Sequence, residues 1–209
     1  GVDNFPQRKT YKKGDPIKII HHCTPWRGLN VLLLAMQMLK NKDITLDVYS
    51  SCQVYGSEFA EGHKKAFEPL FKQASSLPNV NYIGYKPHEY IKEHISQYDL
   101  FVYPSIFEET FCVSALEALA AGIHVITTNF GALPETCSEW PVYVNYTKNH
   151  ELLAKSFAHA IDASKVYLHE EDMQKYLDEQ QKFYKKFYSW DRKGSEWTNF
   201  LTGAVHAKR

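Results

Sequence analysis

The chain has 209 residues, enough for one domain of generous size, and 44% of them are hydrophobic, so a sizeable core can be buried. Lysine plus arginine and aspartate plus glutamate balance at 24 each, which leaves no broad basic field for nucleic acid and no acidic tail. No apolar run approaches the roughly 18 residues that span a bilayer, and the opening GVDNFPQRKTYKKGDP lacks the apolar core of a secretory leader. The expectation is a protein with no transmembrane segment and no nucleic-acid partner, working in the cytoplasm. Cys23, Cys52, Cys112 and Cys137 form no CxxC pair and read as reduced, buried thiols.

Residues 1–16 are polar, carry Pro6, Gly14 and Pro16, and read as an entry linker. IKIIHHC (17–23) is the first strand candidate. From Leu29 the apolar residues recur at Leu32, Leu33, Met36 and Leu39, a helical period. Thr24 followed by Pro25 fits an N-cap with a first-turn proline ahead of that helix. ITLDVYS (44–50) is a second strand, 57–77 an amphipathic helix, VNYIG (80–84) a third strand and 87–98 a short helix. LFVYP (100–104) is the fourth strand. A helix from about Cys112 to Ala121 closes at Gly122. HVITT (124–128) and PVYVNY (141–146) supply the fifth and sixth strands. The remainder is helical over 149–163, 168–188 and 190–201, and Tyr176, Tyr184 and Phe187 fall at helical spacing as core candidates.

Strands alternating with helices predict an α/β fold: a Rossmann-like parallel sheet of about six strands, helices on both faces, and extra C-terminal helices. The expected units are the linker at 1–16, the sheet domain at 17–188, and a closing helix and tail at 189–209. In such sheets ligands sit at the carboxyl ends of the strands, and every loop named next follows a strand.

Glu109 lies in EETF, between the fourth strand and the next helix. The backbone N–H groups of Phe111, Cys112 and Val113 stand at that helix start, where no intrahelical carbonyl can reach them, and make a pocket suited to phosphate or sugar hydroxyls. Glu117 is eight residues on, about 80° beyond two full turns. With Glu109 in the loop, both carboxylates can face one ligand across the helix end. Carboxylates accept well from vicinal hydroxyls, so sugars are natural partners. Taken alone, the two acids fit a capping acid and a solvated helix acid better than a ligand site. Arg27 precedes Gly28 in TPWRGL, where a guanidinium can take two phosphate oxygens, or simply face solvent. His21, His22 and Cys23 are consecutive on a strand and point to alternate faces, which disfavours a metal site. Cys112 has no evident base partner and reads as packed rather than nucleophilic.

PSIFEETFCVSALEALAAGIHVITT resembles the signature of retaining glycosyltransferases of family 4, which have the GT-B fold: a Pro-Ser, a Glu, seven residues, a second Glu, then small residues leading into a strand. Thr110 and Cys112 stand where that family usually has glycines. GVD (1–3), RGLNVLLLAMQML, VNYIGYKPHEYIKEHISQYDLFVYPS, FGALPE (130–135) and FYSWDRKGSEWTNFL extend the likeness over nearly the whole chain, as the carboxyl-terminal, nucleotide-sugar-binding lobe alone. The resemblance implies that Glu109 and Arg27 are the catalytic pair, with Glu109 on the donor sugar and Arg27 on the diphosphate. It implies donor contacts from Glu117 on the ribose, from Thr110, Phe111, Cys112 and Val113 at the helix start, and from Thr24 and Gly28. Gly84, Tyr85 and Lys86 would stand beside the nucleobase. The family's usual second cation has no Lys or Arg counterpart in HHCT, leaving Thr24 and His22 there. No Asp-x-Asp occurs, so no metal and no cofactor are expected, and the donor itself is the ligand. The implied partners are a nucleotide-sugar donor and an acceptor held by an amino-terminal lobe outside this chain. A sugar-nucleotide binding module without turnover and an epimerase of the same fold are the alternatives. A dinucleotide oxidoreductase lacks its GxGxxG after the first strand, and a P-loop ATPase its GxxxxGK[ST].

Overall fold

A computed structural model describes residues 1–2 and 4–206, with side chains through residue 204, so Asp3 of the GVD stretch and the tail at 207–209 lie outside the described residues. Six strands form one parallel sheet: β1 (Ile17–His21), β2 (Ile44–Val48), β3 (Val80–Tyr82), β4 (Leu100–Tyr103), β5 (His124–Thr128) and β6 (Val142–Val144). Their order is β3-β2-β1-β4-β5-β6. Chain order therefore reverses between β1 and β4, which pair in parallel through Ile19–Leu100 and Ile20–Phe101. The loops leaving those two strands face each other at the sheet's carboxyl edge, the place where doubly wound sheets open a crevice.

Helices cover both faces. α1 (Leu29–Met38), α2 (Ser57–Ser76) and α6 (His150–Tyr167) pack one side, where Leu32, Leu33, Ile44, Leu46, Phe157 and Ile161 are fully buried. α3 (His88–His94), α4 (Val113–Ala121) and α7 (Glu171–Phe187) cover the other, around Ile20, Phe101, Leu116 and Tyr184. Each such aliphatic side chain contributes ~1.5–3 kcal/mol by leaving water. β4 and β5 are buried at every position; LFVY accordingly reads as an apolar run, while in HVITT the buried Thr127 and Thr128 hydroxyls donate to the carbonyls of Tyr103 and Ser105.

α4 is the helix the site depends on. Its carboxyl end is closed three ways. Gly122 takes a left-handed turn at φ 78°, Gln180 Nε2 donates to the carbonyls of Leu119 and Ile123 at 3.1 and 3.0 Å, and Gln181 Nε2 donates to Ala121 at 2.9 Å. Both glutamines come from α7 and are buried. Among the described residues no side chain caps the amino end.

Several expectations change in detail. Thr24 precedes a 3-10 turn at Pro25–Arg27 and makes no side-chain cap; α1 starts from Gly28 instead. The Gly-rich stretch FGALPE contains the start of a short helix, α5 (Leu133–Cys137). α6 runs on past Ala163 to Tyr167, and α8 (Trp190–His206) past Leu201. Tyr184 is fully buried, but Tyr176 is 36% exposed, so it belongs to the surface rather than the core. Among the described residues, the segment before β1 has no helix or strand beyond one bridge from Val2 to Ser189. It is nonetheless docked, with Phe5 and Tyr11 buried and Arg8 paired to Asp178 at 2.9 Å.

His21 and His124 sit inside the sheet, and burial lowers each to about 4. The unfolded chain, with histidines near 6.5, binds protons that the folded chain refuses. The stabilisation is complete above pH ~6.5 and is lost as pH falls toward 4, at roughly 1.4 kcal/mol per pH unit for each group. Urea denaturation between pH 7 and 4.5 is expected to show a steep fall in midpoint over that window; a flat profile would contradict the buried neutral histidines.

Candidate functional site

The loop after β1 turns on Gly28, which has φ +99° and would place a Cβ 2.0 Å from the Pro104 carbonyl oxygen. Only glycine allows that approach. It seats Arg27 against the loop after β4. The loop after β5 does the same from the other side: a Cβ on Gly131 (φ +60°) would lie 2.6 Å from Glu109 N, and Ala132 N donates to Glu109 O at 2.8 Å. Two glycines thus clamp the Glu109 segment between neighbouring loops.

Glu109 is 4% exposed, and its carboxylate accepts from both Arg27 and the Tyr103 hydroxyl. Burial pushes the Tyr103 phenol far up, so it stays protonated and donates. The Arg27 guanidinium also lies 4.7 Å from the Phe107 ring centroid.

Beside this group lies a cavity of about 250 Å3 lined by Cys23, Thr24, Arg27, Tyr103 and, at the amino end of α4, Phe111, Cys112, Val113 and Ser114. His22 also lines it, and His22 Nε2 and Thr24 Oγ1 are buried atoms with no hydrogen-bond partner among the described residues. Burial lowers His22 to about 3, with His21 and His88 adding to it, so the ring is neutral. Burial also pushes the Cys112 thiol up to about 12, which removes it as a nucleophile. All four cysteines are free.

A second cavity of about 430 Å3 adjoins the first and shares His22, Tyr49, Val54, Val113 and Ser114 with it. Glu117, His88, Tyr85 and Lys86 line this half. Glu117 is 8% exposed and lies 2.6 Å from His88 Nε2. The two halves make one cleft along the carboxyl edge, of the size that ligand pockets take, roughly 300–1,000 Å3.

Of the sequence-predicted residues, Thr24, Arg27, Phe111, Cys112 and Val113 meet at the first cavity, and Glu117, Tyr85 and Lys86 at the second. Four stand elsewhere. Glu109 lies behind Arg27 and Tyr103, Thr110 is exposed, and Gly28 and Gly84 are buried turn residues whose backbone shapes the loops. Tyr103, Ser114, His88 and Gly131 were not singled out. Tyr103 ends a strand at the carboxyl edge, a signal that was available. Among the described residues no three His, Cys, Asp or Glu side chains converge as a metal site, and no helix is long and apolar enough to cross a membrane.

Doubly wound sheets hold their ligands at the switch point, and a helix start that opens there can accept an anion. The family described as glycosyl transferases group 1 matches residues 3–182, and the chain belongs to it. Among solved structures, HepE from Anabaena in complex with UDP and glucose is similar at a TM-score of 0.69 and 14% identity, over 91% of this chain and 49% of that one. Sucrose-phosphate synthase from Thermosynechococcus elongatus gives 0.69 and 20%, over 94% and 47%. The pneumococcal O-GlcNAc transferase GtfA in complex with UDP and GlcNAc gives 0.62 and 14%, over 96% and 38%. The chain thus spans about half or less of these proteins, and its fold is that of one lobe of the GT-B architecture. No curated protein is similar enough to count as a relative.

The unpartnered Thr24 hydroxyl gives a direct test. A buried donor without a partner is costly, so Thr24→Val, which keeps the shape, is expected to stabilise the ligand-free protein by about 1 kcal/mol. Chemical denaturation measures this, and a loss of stability would show that the hydroxyl is already satisfied.

Proposed function

We propose that the chain is the donor-binding lobe of a retaining glycosyltransferase that moves a sugar from a nucleotide diphosphate sugar to an acceptor. One observation carries the reading: His22 and Thr24, whose Nε2 and Oγ1 are buried without partners among the described residues, line with Arg27 a cavity that opens on the amino end of α4, where no side chain caps the helix among the described residues. That is a site prepared for an anion.

In this reading the diphosphate accepts from the first N–H groups of α4 and draws Arg27 toward itself. Glu109 then exchanges the guanidinium for hydroxyls of the donor sugar. Glu117, in the adjoining half of the cleft, accepts from the ribose, and Tyr85 and Lys86 border the base. The helix end and Arg27 stabilise charge on the departing diphosphate without a divalent metal. A phosphate oxygen of the donor takes the acceptor's proton as the new bond forms on the face the leaving group vacates. The acceptor is held by a second lobe outside this chain. UDP in the complexes of HepE and GtfA supports a nucleotide-sugar ligand for this fold.

Calorimetric titration with UDP, GDP, ADP and their sugar conjugates tests the reading. At least one is expected to bind, EDTA is expected to leave that binding intact, and Glu117→Ala is expected to weaken it by ~1–3 kcal/mol through lost charged hydrogen bonds. Equal affinities for wild type and variant across the panel would contradict the site.

A further inference from the structure

Glu117 stands a full turn inside α4, between Leu116 and Ala118, both fully buried. A glutamate side chain has three rotatable bonds, and one left to itself would sample several rotamers. Here His88 reaches it, with Nε2 at 2.6 Å from Glu117 Oε1. An ionised carboxylate can only accept, so the imidazole Nε2–H is the donor.

His88 is delivered by a fixed support. It is the first residue of α3, behind Pro87. The Ile91 N–H donates to the Pro87 carbonyl at 3.3 Å, Ile91 is buried, and the Tyr90 ring lies 6.1 Å from that of Tyr49. The imidazole itself is half exposed and lines the same cavity as Glu117, Tyr85 and Lys86. Its removal would leave no hole in the core. Its contact is with the carboxylate at the cavity wall.

We propose that His88 is a positioning residue for Glu117: by holding one carboxylate oxygen it fixes the rotamer and presents the acid to the cavity as acceptor for the vicinal diol of a ribonucleoside diphosphate. The inference rests on the donor-lobe reading. It makes His88 a determinant of specificity for ribose over 2′-deoxyribose, because a diol fills both lone-pair directions of a fixed oxygen and a single hydroxyl fills one.

The test is calorimetric titration of UDP, GDP and ADP against dUDP, dGDP and dADP, with wild type, His88→Ala and His88→Gln. Wild type is expected to prefer the ribo form about tenfold. His88→Ala is expected to compress that ratio to about threefold or less while the deoxy affinity stays within about twofold, and His88→Gln, which retains an N–H donor, to recover most of the preference. Should the alanine variant melt early, His88→Phe, which fills the space without a donor, takes its place. An unchanged ratio in the donorless variants overturns the proposal, as does a parallel loss for ribo and deoxy forms, the mark of a merely structural role. A wild type that binds but does not discriminate removes the ribose contact itself. One that binds none of the six defeats the donor-lobe reading, and this inference with it.

Discussion

A helix begins with N–H groups that no intrahelical carbonyl can reach, and they must find other partners. In α4 the two ends are treated oppositely. Gln180 and Gln181, buried amides from α7, and the left-handed turn at Gly122 consume the carbonyls at the carboxyl end. The amino end is given no side-chain cap and faces a cavity. The helix is nine residues long and lined by small and aliphatic side chains that bury it against the sheet, so tertiary packing rather than capping stabilises it. That leaves its positive end for an external anion.

The surrounding loops are built to keep that end open. Gly28 lets the loop after β1 touch the Pro104 carbonyl, and Gly131 lets the loop after β5 touch the Glu109 backbone. Between them Glu109 ties Arg27 to Tyr103, joining segments far apart in sequence. A buried carboxylate such as Glu109 is expensive unless paired, and the partly exposed Arg27 pairs it. Their pairing keeps an arginine, which a diphosphate would attract, poised at the wall of an otherwise mostly neutral cavity. The same cleft continues to Glu117 and His88, so one groove offers a cationic, helix-terminated half and a half with a carboxylate acceptor. A diphosphate bearing a sugar on one side and a ribose on the other matches that division.

How much of this could be read from the sequence depends on the range of the interaction. β4 announced itself because both faces are covered and LFVY runs apolar without alternation, whereas β5 mixes Val125 and Ile126 with the buried polar His124, Thr127 and Thr128. The bounds of α4 followed from Gly122 and from the small residues ahead of it. Glu109, Glu117 and Arg27 were singled out through their places after strands and at the helix start together with the likeness to a family signature. Their partners were not. The contact of His88 with Glu117 joins residues 29 apart, and that of Arg27 with Glu109 residues 82 apart; no local periodicity encodes either. α5 was missed because its five residues contain Pro134 and follow Gly131, so turn signals outweigh helical ones over so short a span. Gln180 and Gln181 lie in a mostly polar helical stretch, yet they are buried and donate to carbonyls of Leu119, Ala121 and Ile123.

The most direct test is a crystal structure of the chain soaked with whichever of UDP, GDP or ADP binds tightest. The pyrophosphate is expected within hydrogen-bonding distance of the N–H groups of Val113 and Ser114 and of the Arg27 guanidinium, with the ribose against Glu117. Density for the pyrophosphate at any other edge of the sheet, with the amino end of α4 untouched, would contradict the account.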